Sequence, residues 1–558
     1  MIRSWRVKNF KSIQDGMDNL EFGAITLFAG ANSSGKSSVI QSILLLMQSL
    51  STSTDTPLVL NGELVSLGTV EDLWHNGLLP LVSKPERRLE YECVIDNLSE
   101  EGTQLWMKVA FEPIATTKVQ VVEAAYRLSD SAGVFTDAVA IVHRDAAHKI
   151  MSVTDTLKLK FFGHLERQGL QNIASLRGSA VQMDGFLPRT IAIHAKAQTR
   201  ELNWATALVD PNDERLSDED LGVDIQKDHF EVLKQTVRKL KLPHFTELDN
   251  HNRPVERVRT LRDYRTWYAG LQTAQRKDLR YRLTQKFDDL VTDEYAHYAF
   301  PQLDSVETSL RELFSRRIRY LSANRLAPTI IFTPDASSHW SEVGINGANV
   351  AGALQEYGNS TIQWYHPQEL ESRETSLNEA VITWLQFLHL VEAIETEERG
   401  KLGTLLKIRS SGVNRDLDLT AVGFGTSQIL PILVQGLLTP PGGVFIVEQP
   451  EVHLHPHVQS QLALFFVALT RANVQCIIET HSENIVNQLR LFIAGRREHL
   501  RDQIKIYFAE REPDTGTYLR AIEIDRRGNI VNWPRGFMDE STHQAEAMLR
   551  AILESEDE

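Results

Sequence analysis

Apolar residues in this chain fall into two kinds of run. Ala24–Ala29, Gly443–Val447 and Val474–Ile478 are short and predominantly apolar, which predicts buried strands. Leu89–Ile95, Leu105–Phe111 and Val119–Tyr126 alternate with a period of two, which predicts an antiparallel sheet. Shorter strands are expected at Ser4–Phe10, Tyr320–Ser322 and Leu405–Ile408, and strands and turns over Pro57–Gly77. Helices are expected at Ser38–Leu46, Ile429–Leu438 and, as an amphipathic element, Ala380–Glu395. From about Glu219 to Arg319 the pattern turns helical and basic. These changes divide the chain at 1–86, 87–218, 219–317 and 318–558, a mixed α/β organisation with a β-rich region and a helical region inserted between its halves.

The junction after the first apolar run carries chemistry. Gly30-Ala31-Asn32-Ser33-Ser34-Gly35-Lys36-Ser37 fits G-x-x-x-x-G-K-[ST] without a mismatch. A strand precedes it and a helix follows, the context that separates a P-loop from a chance glycine turn. Glycines let backbone N–H groups close around phosphates, and the helix start adds its positive dipole end. Candidate nucleotide-binding residues are therefore Gly30, Asn32, Ser33, Ser34, Gly35, Lys36, Ser37 and Ser38. Lys36 reaches toward the β- and γ-phosphates, and the Ser37 hydroxyl toward Mg²⁺. Gln48 reads as a helix-end glutamine rather than a nucleotide contact.

Far along the chain, the second apolar run ends in acids at Glu448-Gln449-Pro450-Glu451. An apolar strand delivering a carboxylate to Mg²⁺ beside a P-loop is the Walker B arrangement. Just before it, Gly425-Thr426-Ser427-Gln428 opens an apolar helix, an anion-binding surface in one reading and a simple Ser427 N-cap in another. The third run ends at Glu479-Thr480-His481-Ser482. His453 and His455 follow the acids without a third metal ligand nearby, so they read as shaping that loop.

Composition narrows the setting. The chain has 558 residues and a net charge of −15, which argues against a nonspecific nucleic-acid coat but leaves room for a local basic groove. Such a groove is one reading of Lys234, Arg238, Lys239, Lys241, Arg253, Arg257, Arg259, Arg262, Arg265, Arg276, Lys277, Arg280 and Arg282, interleaved with Tyr264, Trp267, Tyr268 and Tyr281; a solvated helical face over core aromatics is the other. Two cysteines, Cys93 and Cys476, no apolar window near the ~20 residues of a membrane span, and an N-terminus without a signal-peptide core point to a reduced, cytoplasmic protein with no membrane partner. The acidic Glu554–Glu558 reads as a solvated tail.

Walker A, a helix-opening G-x-S-Q, the Walker B run E-Q-P-E-x-H-L-H-P and a T-H-S switch occur in that order. The chain resembles the SMC/ABC-class AAA-type ATPases, in the branch of the overcoming-lysogenization-defect (OLD) and Septu-type anti-phage ATPases. Gly528–Asp539 resembles the G-x-I-x-N-W-P-x-G-F-F-D terminus of one subfamily. The resemblance covers the first ~80 and last ~240 residues and implies an ABC/SMC-type ATPase head, a mixed sheet around the P-loop strand. It implies ATP and Mg²⁺ as ligands, Ser37 and Glu448 as metal-holding residues, and Gly425 and Ser427 as contacts to the γ-phosphate of an opposing head. His481 stands at the switch. Gln449 stands where the catalytic glutamate usually sits; glutamine orients water but is no base, so Glu451 is the substitute or hydrolysis is slow. Gln449, Glu451 and His481 are thus the catalytic candidates.

Two functions compete. In the first, an ATPase assembles as a homo-oligomer through nucleotide-sandwiched heads and regulates a separate effector, such as an HNH nuclease or another toxin, in anti-phage defence. OLD nucleases carry a Toprim domain, and the chain after His481 holds no Asp-x-Asp pair, so a nuclease would be another chain. In the second, a DNA-repair or recombination ATPase tracks nucleic acid with residues 234–286. An ABC transporter subunit is disfavoured by the missing L-S-G-G-Q segment and the long insertion between Walker motifs.

Overall fold

The computed structural model describes residues 1–14, 19–51, 56–75, 88–98, 101–130, 132–135, 139–144, 147–152, 180–194, 204–211, 216, 221–248, 254–288, 295–298, 301–332, 340–410, 415–495, 499–512, 516–534, 536–538 and 544–551. Arg253, Arg535, Asp539 and the acidic Glu554–Glu558 lie outside them. The chain divides into two compact units, one comprising Met1–Ser152, Met183–Arg189 and Pro301–Glu558, the other Val153–Gln182 and Thr190–Phe300.

The first unit is built on a mixed sheet. Its strands run in the order Ile318–Leu321, Val444–Glu448, Gln475–Glu479, Ile25–Gly30, Ile504–Glu512 and Gly516–Ala521. The first five pair in parallel and only the last is antiparallel. All three apolar runs lie here, and Phe445, Ile446, Cys476, Ile477 and Leu27 are fully buried, as expected of strands covered on both faces. The expected α/β architecture around the P-loop strand is therefore present. Gln475 fixes the N-terminal strand to this sheet: its Oε1 accepts from Ile2 N at 2.9 Å, and its Nε2 donates to Ile2 O at 2.7 Å and Gly23 O at 2.9 Å.

The alternating runs form a second, antiparallel sheet. Leu20–Glu21 pairs with Ile2–Lys8, followed by Leu89–Asp96, Gln104–Ala115, Lys118–Leu128, Val139–Arg144 and Ala147–Ser152. Leu89, Tyr91, Cys93 and Ile95 are buried while their neighbours are half-buried, the two-faced pattern of such a sheet. The P-loop helix Lys36–Ser51 packs nearby, with Trp5 Nε1 donating to Ser42 Oγ at 2.9 Å. Gln48 is buried and bonds the backbone of Val59, Leu64 and Val65, so it holds the turn after the helix.

One element departs from expectation. The helix over Ala380–Glu395 is instead Leu377–Phe387, and Ala393–Glu398 is a strand paired with Thr404–Arg409. His389 sits at φ 56°, a left-handed residue that ends a right-handed helix. The apolar periodicity carries through the break because both elements pack on one core.

The second unit is helical around its own core, with Lys227–Lys239, Leu261–Ala269 and Thr273–Asp288 as its longest described helices. Tyr264 is buried and donates to Leu208 O at 2.9 Å. Tyr264 stacks on Trp267 at 5.7 Å, and Trp267 meets Phe245 edge-on at 4.7 Å. These aromatics are core packing, not a platform for bases; Tyr281, 64% exposed, is the exception. Several cations are engaged internally: Arg276 donates to Leu271 O and Ala269 O, Arg280 pairs with Asp210 at 3.0 Å, and Lys234 lies over the Phe230 ring.

Candidate functional site

All of the parallel strands end on one edge, and the site grows from that edge. The Ile25–Gly30 strand leads into the loop, and Gly30 and Gly35 take φ of 144° and 102°. Neither tolerates a side chain: a Cβ would lie 2.6 Å from Ala509 O at Gly30 and 2.0 Å from Thr517 Oγ1 at Gly35. Ser33, at φ 60°, adds a left-handed residue of the kind from which anion-binding nests are built. Thr517 braces the outer side of the loop. Its hydroxyl donates to Ser34 O at 2.9 Å and lies 2.8 Å from Ser12 Oγ, and Ser12 Oγ in turn lies 3.1 Å from Ser38 Oγ.

Lys36 is 3% exposed. Its Nζ donates to Gly30 O at 3.1 Å and Ala31 O at 2.7 Å, so the ammonium is folded onto the carbonyls of its own loop. Burial lowers its pKa, against the raising effect of Glu479 and Glu451.

The acid beside the loop is not the one the motif singles out. The strand adjoining Ile25–Gly30 is Gln475–Glu479, and Val444–Glu448 is one strand further away. Glu448, Glu479 and Phe28 share a row across the sheet. Ser37 Oγ donates to Glu479 Oε1 at 3.0 Å, and Glu479 Oε2 is buried without a hydrogen-bond partner. Glu448 instead accepts from the Tyr320 hydroxyl and the Ala323 N–H. Burial, and secondarily the charge of Glu479, push its pKa up to about 7. Glu479 is raised too, chiefly by burial. A sequence signal for Glu479 existed, an acid ending an apolar strand just before Thr480-His481, but two such strands compete and only the strand order ranks them.

Glu448 makes a pH prediction. Its folded-state pKa, near 7, lies above the ordinary 4.5. A raised carboxyl contributes stability that is complete below the unfolded value and lost as pH rises through the folded one. In metal-free buffer, the stability of Glu448→Gln relative to wild type is expected to improve by about 3 kcal/mol between pH 4 and pH 8. Urea unfolding at the two pH values checks it; a difference that does not change with pH contradicts it.

The remaining acid is held at both oxygens. Glu451 accepts from Thr480 Oγ1 at 2.8 Å and His481 N at 2.6 Å, one bond to each carboxylate oxygen. It ties the end of one strand to the loop after the other, which is a poor posture for a general base. Gln449 has φ 43° and donates its N–H to Glu479 O at 2.7 Å; among the described residues its side-chain amide makes no hydrogen bond. His481 is exposed as a residue, yet partial burial followed by the Lys36 charge lowers its pKa below the ordinary 6.5, which keeps the imidazole neutral near pH 7.

Thus Lys36, Ser37, Glu451 and His481 gather around Glu479, with Glu448 beside it on the next strand. Gly425 and Ser427 do not join them by any hydrogen bond among the described residues. The helix Phe424–Leu438 is capped by Gly423, not by Ser427, whose buried hydroxyl donates to Phe424 O at 2.6 Å. A Cβ on Gly425 would lie 3.0 Å from His453 O, and the exposed Phe424 ring meets His453 edge-on at 4.7 Å. This segment packs on the loop after the acids, and His453 is part of that seam. Among the described residues no cluster of three His, Cys, Asp or Glu side chains is placed to hold a metal.

The donor set still fits a hard divalent cation carried by a triphosphate. Such an ion takes few protein ligands, mostly oxygen, and keeps phosphate and water as the rest. A hydroxyl and an orphaned carboxylate oxygen of its hydrogen-bond partner, beside the Gly30–Ser37 loop, are that partial set.

Comparison with known proteins agrees at the level of the domain. Residues 303–487 match the family described as "AAA domain, putative AbiEii toxin, Type IV TA system". Residues 501–548 match "Protein of unknown function (DUF3696)". No curated protein matches the chain. Among solved structures, the Smc head domain of Pyrococcus furiosus, with an extended coiled coil and bound to the C-terminal domain of ScpA, is 11% identical, with 99% of each chain covered and a TM-score of 0.33. The SMC head domain of Thermotoga maritima is 10% identical over 94% of this chain and 99% of that one, with a TM-score of 0.32. Scores this low leave the fold to rest on the strand order and the loop. The chain carries an AAA-type ATPase domain, and domains of this type use ATP and Mg²⁺. The matched stretch holds Glu448, Glu451, Glu479 and His481, while the Gly30–Ser37 loop precedes it. Among the described residues no helix is long and apolar enough to cross a membrane.

Proposed function

We propose that this chain is a slowly hydrolysing ATP switch whose heads pair around nucleotide and thereby regulate a separate effector, a nuclease or toxin, in anti-phage defence. The observation that carries the ATPase half is the Lys36–Ser37–Glu479 constellation at the edge of one parallel sheet, with a glutamine at the position of the usual base.

In this reading the N–H groups of Gly30–Ser37 bind the phosphates, and Lys36 exchanges its two carbonyl partners for β- and γ-phosphate oxygens. Ser37 and Glu479, with Glu448 behind them, would hold Mg²⁺, which neutralises charge on the phosphates when bound. Gln449 orients a water through its free amide. Glu451 is engaged by Thr480 and His481, and the glutamine at 449, which orients water but is no base, supports slow turnover. The neutral His481 ring supplies a hydrogen bond to the γ-phosphate. Glycine at 425 and the exposed helix start at Phe424 support a surface that meets the phosphate of a second copy. The defence setting rests on the toxin family of the matching domain and on the motif order.

Light-scattering mass with ATP–Mg²⁺, against Mg²⁺ alone, tests the reading. Doubling of the mass, with Gln449→Glu hydrolysing faster than wild type, is the expected result. Absence of ATP binding up to about 1 mM, above the usual range of nucleotide affinities, ends the reading. DNA cleavage by the purified chain that persists in Lys36→Ala would remove the separate effector from it.

A further inference from the structure

Arg325 follows the edge strand Ile318–Leu321 and is 7% exposed. Buried guanidinium groups normally face carboxylates in paired geometry. This one does not. Its NH2 donates to Gln449 O at 2.7 Å, and its NH1 lies 3.4 Å from the same oxygen and 3.5 Å from Glu448 O. Its Nε is buried without a partner. The charge of Glu451 and then Glu448 favours the cation, but burial prevails and brings the pKa down to about 10. An expensive buried charge is thus spent mainly on one backbone carbonyl, that of Gln449.

That carbonyl belongs to a residue in an unfavourable conformation. Gln449 is not glycine, yet sits at φ 43°, where a Cβ crowds its own backbone. Its two peptide groups are both secured: the N–H by Glu479 O at 2.7 Å, the C=O by Arg325. Only the side chain is unengaged. A residue pinned at both backbone groups with a free amide is built to aim that amide.

We infer that Arg325 is a positioning residue that locks the Gln449 backbone in its left-handed conformation, so that the Gln449 amide points at the water attacking ATP. The inference rests on the ATPase reading above and adds a residue that no motif marks. Without the clamp, Gln449 relaxes toward the right-handed region and its amide swings off the water. The contacts of Lys36, Ser37 and Glu479 with phosphate and metal, made by other elements, stay in place.

The test is a double-mutant cycle in the full-length protein, read by single-turnover ATP hydrolysis and by equilibrium binding of a fluorescent ATP analogue. Arg325→Met is expected to slow hydrolysis about a hundredfold, the scale of misplacing a reacting group, with nucleotide Kd changed by less than about threefold. Gln449→Ala slows it similarly. The double mutant is expected to be no slower than Gln449→Ala by more than about twofold, since both remove one function. Arg325→Lys, which retains a charge and one donor for the carbonyl, recovers part of the rate and serves if the Met variant does not fold. Multiplying losses in the double mutant, no recovery with Lys, or loss of nucleotide binding in Arg325→Lys overturns the inference. A wild type that neither binds nor hydrolyses ATP fails the underlying reading instead, and is visible before any variant is made.

Discussion

Lys36→Ala is expected to lose ATP affinity by at least about a hundredfold, and with it the nucleotide-dependent mass change. The side chain is the cation of the loop, with Nζ already at its mouth on Gly30 O and Ala31 O. A charge-assisted contact to phosphate in a largely desolvated site is worth several kcal/mol on truncation. The same substitution is expected to leave folding nearly unchanged. Burial already disfavours the Lys36 ammonium, so its removal relieves desolvation while forfeiting two hydrogen bonds and an attraction to Glu479. These terms oppose each other and are each of order 1–3 kcal/mol. Calorimetric titration with ATP–Mg²⁺ beside a thermal melt separates the two effects. A variant that binds ATP normally refutes the site; one that merely unfolds says the lysine served the fold.

How much of this was legible beforehand differs by element. The P-loop was, because its constraint is local: Gly30 and Gly35 have no room for a side chain, and the pattern of small residues records that directly. The central strands were, since two covered faces demand unbroken apolar runs. Strand order was not. Val444–Glu448 and Gln475–Glu479 are both apolar runs ending in acid, and nothing in either says which lies beside Ile25–Gly30. That ordering alone decides that Ser37 meets Glu479. Thr517 was equally hidden, because its contact with Ser34 spans 483 positions and depends on where a hairpin folds back. Arg325 reads from sequence as a structural salt bridge or a contact to nucleotide or partner; its role as a clamp was hidden, since its partner is a carbonyl, and carbonyls leave no trace in sequence. The aromatics Tyr264, Trp267 and Tyr268 were open to two readings, a nucleic-acid surface or core aromatics under a solvated helical face, and packing makes them a core.

The second large effect concerns metal. Glu479→Gln keeps shape and still accepts the Ser37 hydroxyl, but removes the charge whose second oxygen is left unpartnered. Loss of one anionic ligand, or of the group that orients a ligand, lowers metal affinity by about 10- to 100-fold. Nucleotide binding without metal is expected to be unchanged or tighter, because removing a buried negative charge near the triphosphate eases repulsion. The readouts are the Mg²⁺ concentration giving half-maximal nucleotide binding and Mn²⁺ binding followed by paramagnetic resonance. Glu448→Gln provides the comparison: its carboxyl is turned to Tyr320 and Ala323, so its effect should be the smaller of the two. The reverse ranking, with Glu448→Gln raising the metal requirement and Glu479→Gln leaving it alone, would return the metal to the strand one position further from the loop. It would make the Ser37–Glu479 hydrogen bond a feature of the nucleotide-free state, broken when Ser37 turns to the ion.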